Sequence, residues 1–114
     1  MDRITPNILF TWFIGDGSNN KGEIELETQS FLREDTIYLI LLLQRVGLNG
    51  KLYKSFDKRN DTTYWSIRFN RSEYQKFMNY LTLADPQMVD IGKRFFPWKF
   101  DKNLSFKAWK KTYS

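Results

Sequence analysis

Apolar and polar positions follow two rhythms along this chain, and the changes of rhythm mark out its elements. From Ile8 to Ile14 no position is charged and nearly every one is large and apolar. Thr5 followed by Pro6 supplies an N-cap and a first helical residue, and Gly15 and Gly17 end the run. A helix apolar on almost every side is expected to lie buried. Ser18-Asn19-Asn20-Lys21-Gly22 then reads as a turn. After it, Glu23-Ile24-Glu25-Leu26-Glu27 alternates strictly, the period of a strand with Ile24 and Leu26 towards a core and the three Glu away from it. The strand is expected to continue through Thr28-Gln29-Ser30-Phe31. A second helix follows from about Arg33 to Val46, with acids in its first turn, Arg45 in its last, and Gly47 at the C′ position.

Asn49-Gly50 marks a turn into Lys51–Phe56, and the polar loop Asp57–Asp61 separates that strand from Tyr64–Phe69. Trp65, Ile67 and Phe69 share one face; Tyr64, Ser66 and Arg68 share the other. The pair reads as an antiparallel hairpin with a basic, mobile tip. Ser72-Glu73-Tyr74-Gln75 has the form of a capping box, opening a third helix whose inner stripe is Tyr74, Phe77, Met78 and Leu81. It stops before Asp85-Pro86. The periodicity therefore gives helix, strand, helix, strand, strand, helix and a C-terminal extension, in a single domain over residues 1–114 with its core at about 5–90 and the extension from about 91.

Composition narrows the chemistry. There is no Cys and no His, so disulfides, thiolate zinc sites and His-based catalysis are all excluded. A net charge of +5 favours a polyanionic partner, although surface lysines also serve solubility. Between Lys93 and Lys111 seven basic residues and one acid interleave with Phe95, Phe96, Trp98, Phe100, Phe106 and Trp109. That composition suits a nucleic-acid surface. It equally suits aromatics clamping a last helix to the core with solvated lysines. The longest apolar run is too short to span a bilayer. The N-terminus shows no signal-peptide pattern, so an intracellular, non-secreted protein is the expectation.

The apolar first helix ends on an acid, Asp16. A carboxylate at a helix C-terminus is repelled by the dipole there, but carbonyl oxygens and a carboxylate converging on one point are what a hard divalent cation binds. Asp16 is accordingly the candidate metal ligand. Thr11 and Gly15, four residues apart, are small enough to let another helix approach closely.

Leu9 to Gly17 lies in register with the nine-residue motif of the LAGLIDADG homing endonucleases and intron maturases, and Trp12-Phe13-Ile14-Gly15-Asp16-Gly17-Ser18 followed by Thr28-Gln29-Ser30-Phe31 resembles most the branch found as the second half of two-motif chains. The resemblance covers about residues 5–90. It implies an α+β fold, an αββαββα unit with a curved antiparallel sheet packed on helices. It implies a Mg²⁺-dependent, site-specific double-strand DNA endonuclease, or one half of it. Asp16 then holds the metal with the carbonyl of Gly15 as second contact, and Thr11 and Gly15 meet a second motif helix from a homodimer mate or a separate motif-bearing subunit. Gln29 orients water, and a basic residue before the third helix completes the pocket, Arg71 first, with Arg68 and Lys54 as rivals. Under this reading Lys51, Tyr53, Ser55, Tyr64, Ser66 and Arg68 reach base edges of duplex DNA, and Lys58, Arg59 and Asn60 touch phosphate or bases. The alternatives are a maturase that binds group I intron RNA and a catalytically inactive DNA-binding half.

Three departures from the family pattern carry expectations of their own. Phe10 replaces a small motif residue, so the helix pair should pack differently. Ile14 stands where many members have a first, non-essential Asp. Glu23, Glu25 and Glu27 would face DNA, where carboxylates oppose phosphate; the first explanation is that they pair with Lys51, Arg68 or other basic residues of neighbouring strands, and the others are that they accept hydrogen bonds from cytosine or show that DNA is held in another way.

Overall fold

The computed structural model describes residues 3–28 and 31–113. Its order is α1 (Pro6–Asp16), β1 (Gly17–Asn20), β2 (Glu23–Glu27), α2 (Arg33–Arg45), β3 (Lys51–Asp57), β4 (Thr62–Phe69) and α3 (Tyr74–Leu81), then α4 (Pro86–Phe95), α5 (Pro97–Phe100) and α6 (Phe106–Tyr113). The first seven elements are the αββαββα unit. The strands form one antiparallel sheet in the order β1-β2-β4-β3, with the helices on the face that carries Ile24, Leu26, Ile67 and Phe69. Those four side chains are fully buried. Phe13 and Phe69 both contact the Phe77 ring, at 5.4 and 5.0 Å, so α1, β4 and α3 meet in one aromatic cluster.

Local signals explain most element ends. The Thr5 hydroxyl accepts the amide of Ile8 and Pro6 opens α1. Gly47 has φ +86°, and the Leu48 and Gly47 amides donate to the carbonyls of Leu43 and Gln44, the paired bonds of a Schellman end.

Four expectations change. Residues 18–20 are strand rather than turn: Lys21 and Gly22 alone reverse the chain, with φ of 54° and 94°, as a two-residue hairpin turn requires. β2 stops at Glu27, because the buried Thr28 hydroxyl donates to the Trp65 carbonyl at 2.6 Å and accepts the Thr36 hydroxyl, turning the chain towards α2. The Ser72 capping box does not form. A 3₁₀ turn at Arg71–Glu73 precedes α3, Gln75 donates to Asn79 instead, and the Glu73 carboxylate accepts the Asn49 amide. Lastly, α1 is buried on one side only. Leu9, Phe10 and Phe13 are enclosed while Ile8, Thr11, Gly15 and Asp16 are exposed.

The C-terminal segment clamps the unit. Asp85 caps α4 by accepting the Gln87 amide, and Gly92 lets α4 lie directly on Phe10. Phe100 stacks on Phe10 at 5.6 Å and meets the Phe13 ring edge-on. Trp98, Phe106 and Trp109 hold α6 against α5, while Lys107, Lys110 and Lys111 stay exposed. The aromatics are therefore structural clamps, with the lysines in solvent.

Candidate metal and nucleic-acid site

Because Gly17 begins β1 with no intervening loop, the last turn of α1 is tied rigidly to the sheet. Its carboxylate, Asp16, is exposed at the mouth of a cavity of about 630 Å³ between α1, the end of β2 and the start of α2. Glu27 also lines that cavity, since the antiparallel register Gly17↔Leu26 brings the residue before Gly17 and the residue after Leu26 to the same edge. One wall is apolar, from Ile8, Trp12, Phe31 and Leu39. Asp16, Glu27 and backbone carbonyls are hard oxygen donors that fit a divalent cation. No group of three or more acidic, His or Cys side chains gathers among the described residues, so one chain offers a partial donor set. Such a set suits Mg²⁺, which binds through one or two carboxylates and takes its remaining ligands from water and phosphate.

The structure brings an unforeseen cation to this helix end. Lys99 of α5 donates from Nζ to the carbonyls of Ile14, at 2.5 Å, and Phe13, at 3.2 Å. It thereby caps α1 and offsets the dipole that disfavours Asp16. Burial pushes its pKa below the ordinary lysine value, against the pull of the Asp16 carboxylate. The only local signals were Pro97, which starts a helical turn, and Phe100, whose ring docks the segment.

Arg71 is not at this site. Its Nε donates to the Lys21 carbonyl at 3.0 Å, at the far end of β1, which lies about 13 Å from Gly17 at the rise of a strand. The antiparallel register dictates this: Phe69 pairs with Ile24, next to the turn. The rivals are elsewhere too. Arg68 is on the outer sheet face, and Lys54 is on the inner one, 5.7 Å from the Trp65 ring centroid. Gln29 lies outside the described residues.

On the outer face of the sheet, Lys51 pairs with Arg68, Tyr53 with Ser66 and Ser55 with Tyr64, so the six expected positions form three cross-strand pairs. Glu25 joins this row from β2, accepting Arg68 Nε at 2.9 Å and the Ser66 hydroxyl at 2.8 Å. The hydrogen bond to Glu25 is the main cause that holds the Arg68 pKa above its usual value. Arg68 also lies 3.4 Å from the Tyr53 ring centroid, so Glu25, Arg68 and Tyr53 form one preassembled unit. Ser66 departs from the expected exposed row, being 1% exposed beneath that unit. At the hairpin tip Lys58, Arg59 and Asn60 are exposed, while Asp57 ties the loop by accepting the Arg59 amide and the Asn60 side chain.

Thr11 and Gly15 lie open on α1, and a Cβ added to Gly15 would meet nothing within 4 Å. Phe10 points instead into its own core, against Gly92 and Phe100. Its bulk therefore leaves the exposed small-residue face untouched.

The profile of the LAGLIDADG DNA endonuclease family matches residues 1–77, which takes in α1, the whole sheet and the entry to α3. The chain belongs to this family. Neither a curated protein nor a solved structure gives a match. As a LAGLIDADG protein it carries the family's DNA-directed, endonuclease-type architecture, with the motif helix ending at Asp16. No helix among the described residues is long and apolar enough to cross a membrane.

Proposed function

We propose that this LAGLIDADG chain is one unit of a divalent-metal-dependent, site-specific homing endonuclease. It would bind a long duplex on the outer face of its sheet and cut a strand at Asp16. The observation that carries this reading is the end of α1: an exposed Asp16 beside Glu27 in one cavity, next to an open Thr11/Gly15 face. Asp16 and the Gly15 carbonyl would hold Mg²⁺ with help from substrate phosphate. When bound, that ion supplies Lewis-acid stabilisation of the scissile phosphate and a more acidic water. The chain's own groups do the rest. Lys99 fixes the helix end on which Asp16 stands, and Arg68 and Tyr53 present a rigid cation and ring to the duplex.

One Asp16 serves one strand, so double-strand cleavage calls for a second motif helix, from a second copy or from a distinct subunit, against Thr11 and Gly15. Asp16→Asn should abolish Mg²⁺-dependent cleavage by the assembled enzyme while duplex binding stays nearly unchanged. Cleavage that survives in this variant removes Asp16 from the mechanism. Splicing of a group I intron supported equally by wild type and Asp16→Asn would point to the maturase reading instead.

A further inference from the structure

The β1–β2 turn gathers positive charge that the proposed metal site does not use. Lys21 sits in the turn itself, exposed and with φ 54°. Stems from two other elements close over the adjacent Gly22: Arg71 Cγ and Lys102 Cδ would each lie 3.6 Å from a Cβ there. Gly22 itself is called for by its φ of 94°, and both stems lie at ordinary contact distance above it. No carboxylate of the described residues forms an ion pair with any of the three.

Each flanking cation is nonetheless held in place. Arg71 is fixed through Nε on the Lys21 carbonyl, and its terminal nitrogens make no hydrogen bond to the described residues. Lys102 lies 5.4 Å from the Tyr74 ring centroid, and that ring is anchored by its hydroxyl, which donates to the Phe100 carbonyl. Beside them opens a polar cleft of about 420 Å³ lined by Lys21 and Lys102 together with Asn20, Asn103 and Ser105. Three cationic side chains thus rise around one turn with no ion-paired carboxylate among the described residues, and Coulomb attraction favours an anion between them. A guanidinium with free terminal nitrogens beside two ammonium groups matches a tetrahedral phosphate oxyanion.

We infer that Lys21, Arg71 and Lys102 form a phosphate clamp. Its occupant is a backbone phosphate of the bound nucleic acid, held about one β1 length, roughly 13 Å, from Asp16. The clamp rests on the nucleic-acid reading but not on cleavage. It would act as an electrostatic anchor that sets the position of the duplex along the sheet without reading its sequence.

The test compares wild type with Lys21→Gln/Lys102→Gln, two exposed positions, after circular dichroism has confirmed equal folding. With random-sequence duplex, the slope of log K against log salt should become shallower by about 0.9, the contribution of one phosphate contact. An unchanged slope overturns the clamp. Inorganic phosphate, with chloride as control, is then titrated while the Lys21 and Gly22 amide resonances are followed. Shifts with phosphate in the wild type alone support an anion site even if duplex binding is absent, in which case the nucleic-acid source is wrong. No shift together with an unchanged slope removes the site altogether. Loss of Mg²⁺-dependent cleavage activity bears on Asp16 and leaves both readouts intact.

Discussion

Lys99 and Glu25 each settle a charge problem that their neighbours in sequence pose. Asp16 could be picked out from sequence because its position relative to Leu9 and Gly17 is fixed by one helix. Lys99 could not, since it meets Ile14 across 85 residues of separation and only the docking of Phe100 on Phe10 brings it there. Glu25, whose carboxylate opposes phosphate, is expected from the alternation of β2 and β4 to pair with Lys51 or Arg68, and it does pair with Arg68, 43 residues away; the strand order decided which of the two it meets. Tyr80 shows the same kind of contact with a measurable consequence. Its hydroxyl donates to the Ile4 carbonyl at 3.1 Å, tying α3 to the chain ahead of α1, and burial raises its pKa above 10.0. The folded chain therefore keeps a proton that the unfolded chain begins to lose near pH 10, so this contribution is complete below pH 10 and is lost as pH rises through the folded value. Tyr80→Phe should lower stability by about 1 kcal/mol at neutral pH. It should also flatten the alkaline decline in urea-denaturation midpoints, and an undiminished decline would assign it to other groups.

Among the elements, those defined by their own residues were legible and those defined by a partner were not. The Schellman end of α2 and the Thr5-Pro6 start of α1 are local chemistry. β1 is not: Ser18-Asn19-Asn20 has turn composition, and it is strand because β2 supplies the ladder. The Ser72 capping box failed because a 3₁₀ turn moved the start of α3 past it. At Gly92 the backbone of α4 lies directly on the Phe10 ring of α1. A Cβ on Gly92 would lie 2.5 Å from Phe10 Cζ, and Phe10 cannot swing aside because it is stacked on Phe100. Gly92→Val should therefore cost about 1–3 kcal/mol by overpacking, read as a lower urea midpoint. Unchanged stability would mean that α4 does not seat on α1 as described.

At the scale of the whole molecule, one face of the motif helix is left open. Thr11 and Gly15 are joined there by exposed apolar side chains, with Ile8 37% and Ile91 53% exposed, an arrangement suited to covering by a second helix. Gly15 tests it cleanly, because nothing in its own chain is within 4 Å of an added Cβ. Gly15→Ala should leave monomer stability unchanged or raised by up to about 1 kcal/mol, yet weaken association through α1, measured by sedimentation. Association unaffected by the substitution excludes α1 from the contact. A wild-type chain that remains monomeric assigns the second helix to a different subunit.

By itself the sequence determined the motif helix and its terminal Asp16, the alternation that divides β2, β3 and β4 into a core face and a polar face, and the absence of His and Cys chemistry. These follow from the 3.6- and 2-residue periods of the backbone and from the side-chain inventory, and neither requires knowledge of distant contacts. Tertiary structure alone decided which cation stands at the end of α1, Lys99 rather than Arg71, and which side of α1 stays open. It also decided that Arg71 joins Lys21 and Lys102 at the hairpin turn. The physical reason is register and docking: once Ile24 pairs with Phe69, the residues directly after β4, Arg71 among them, are delivered to the end of the sheet away from Asp16, whereas the stacking of Phe100 on Phe10 brings Lys99 back to the end of α1, and no local pattern encodes either contact.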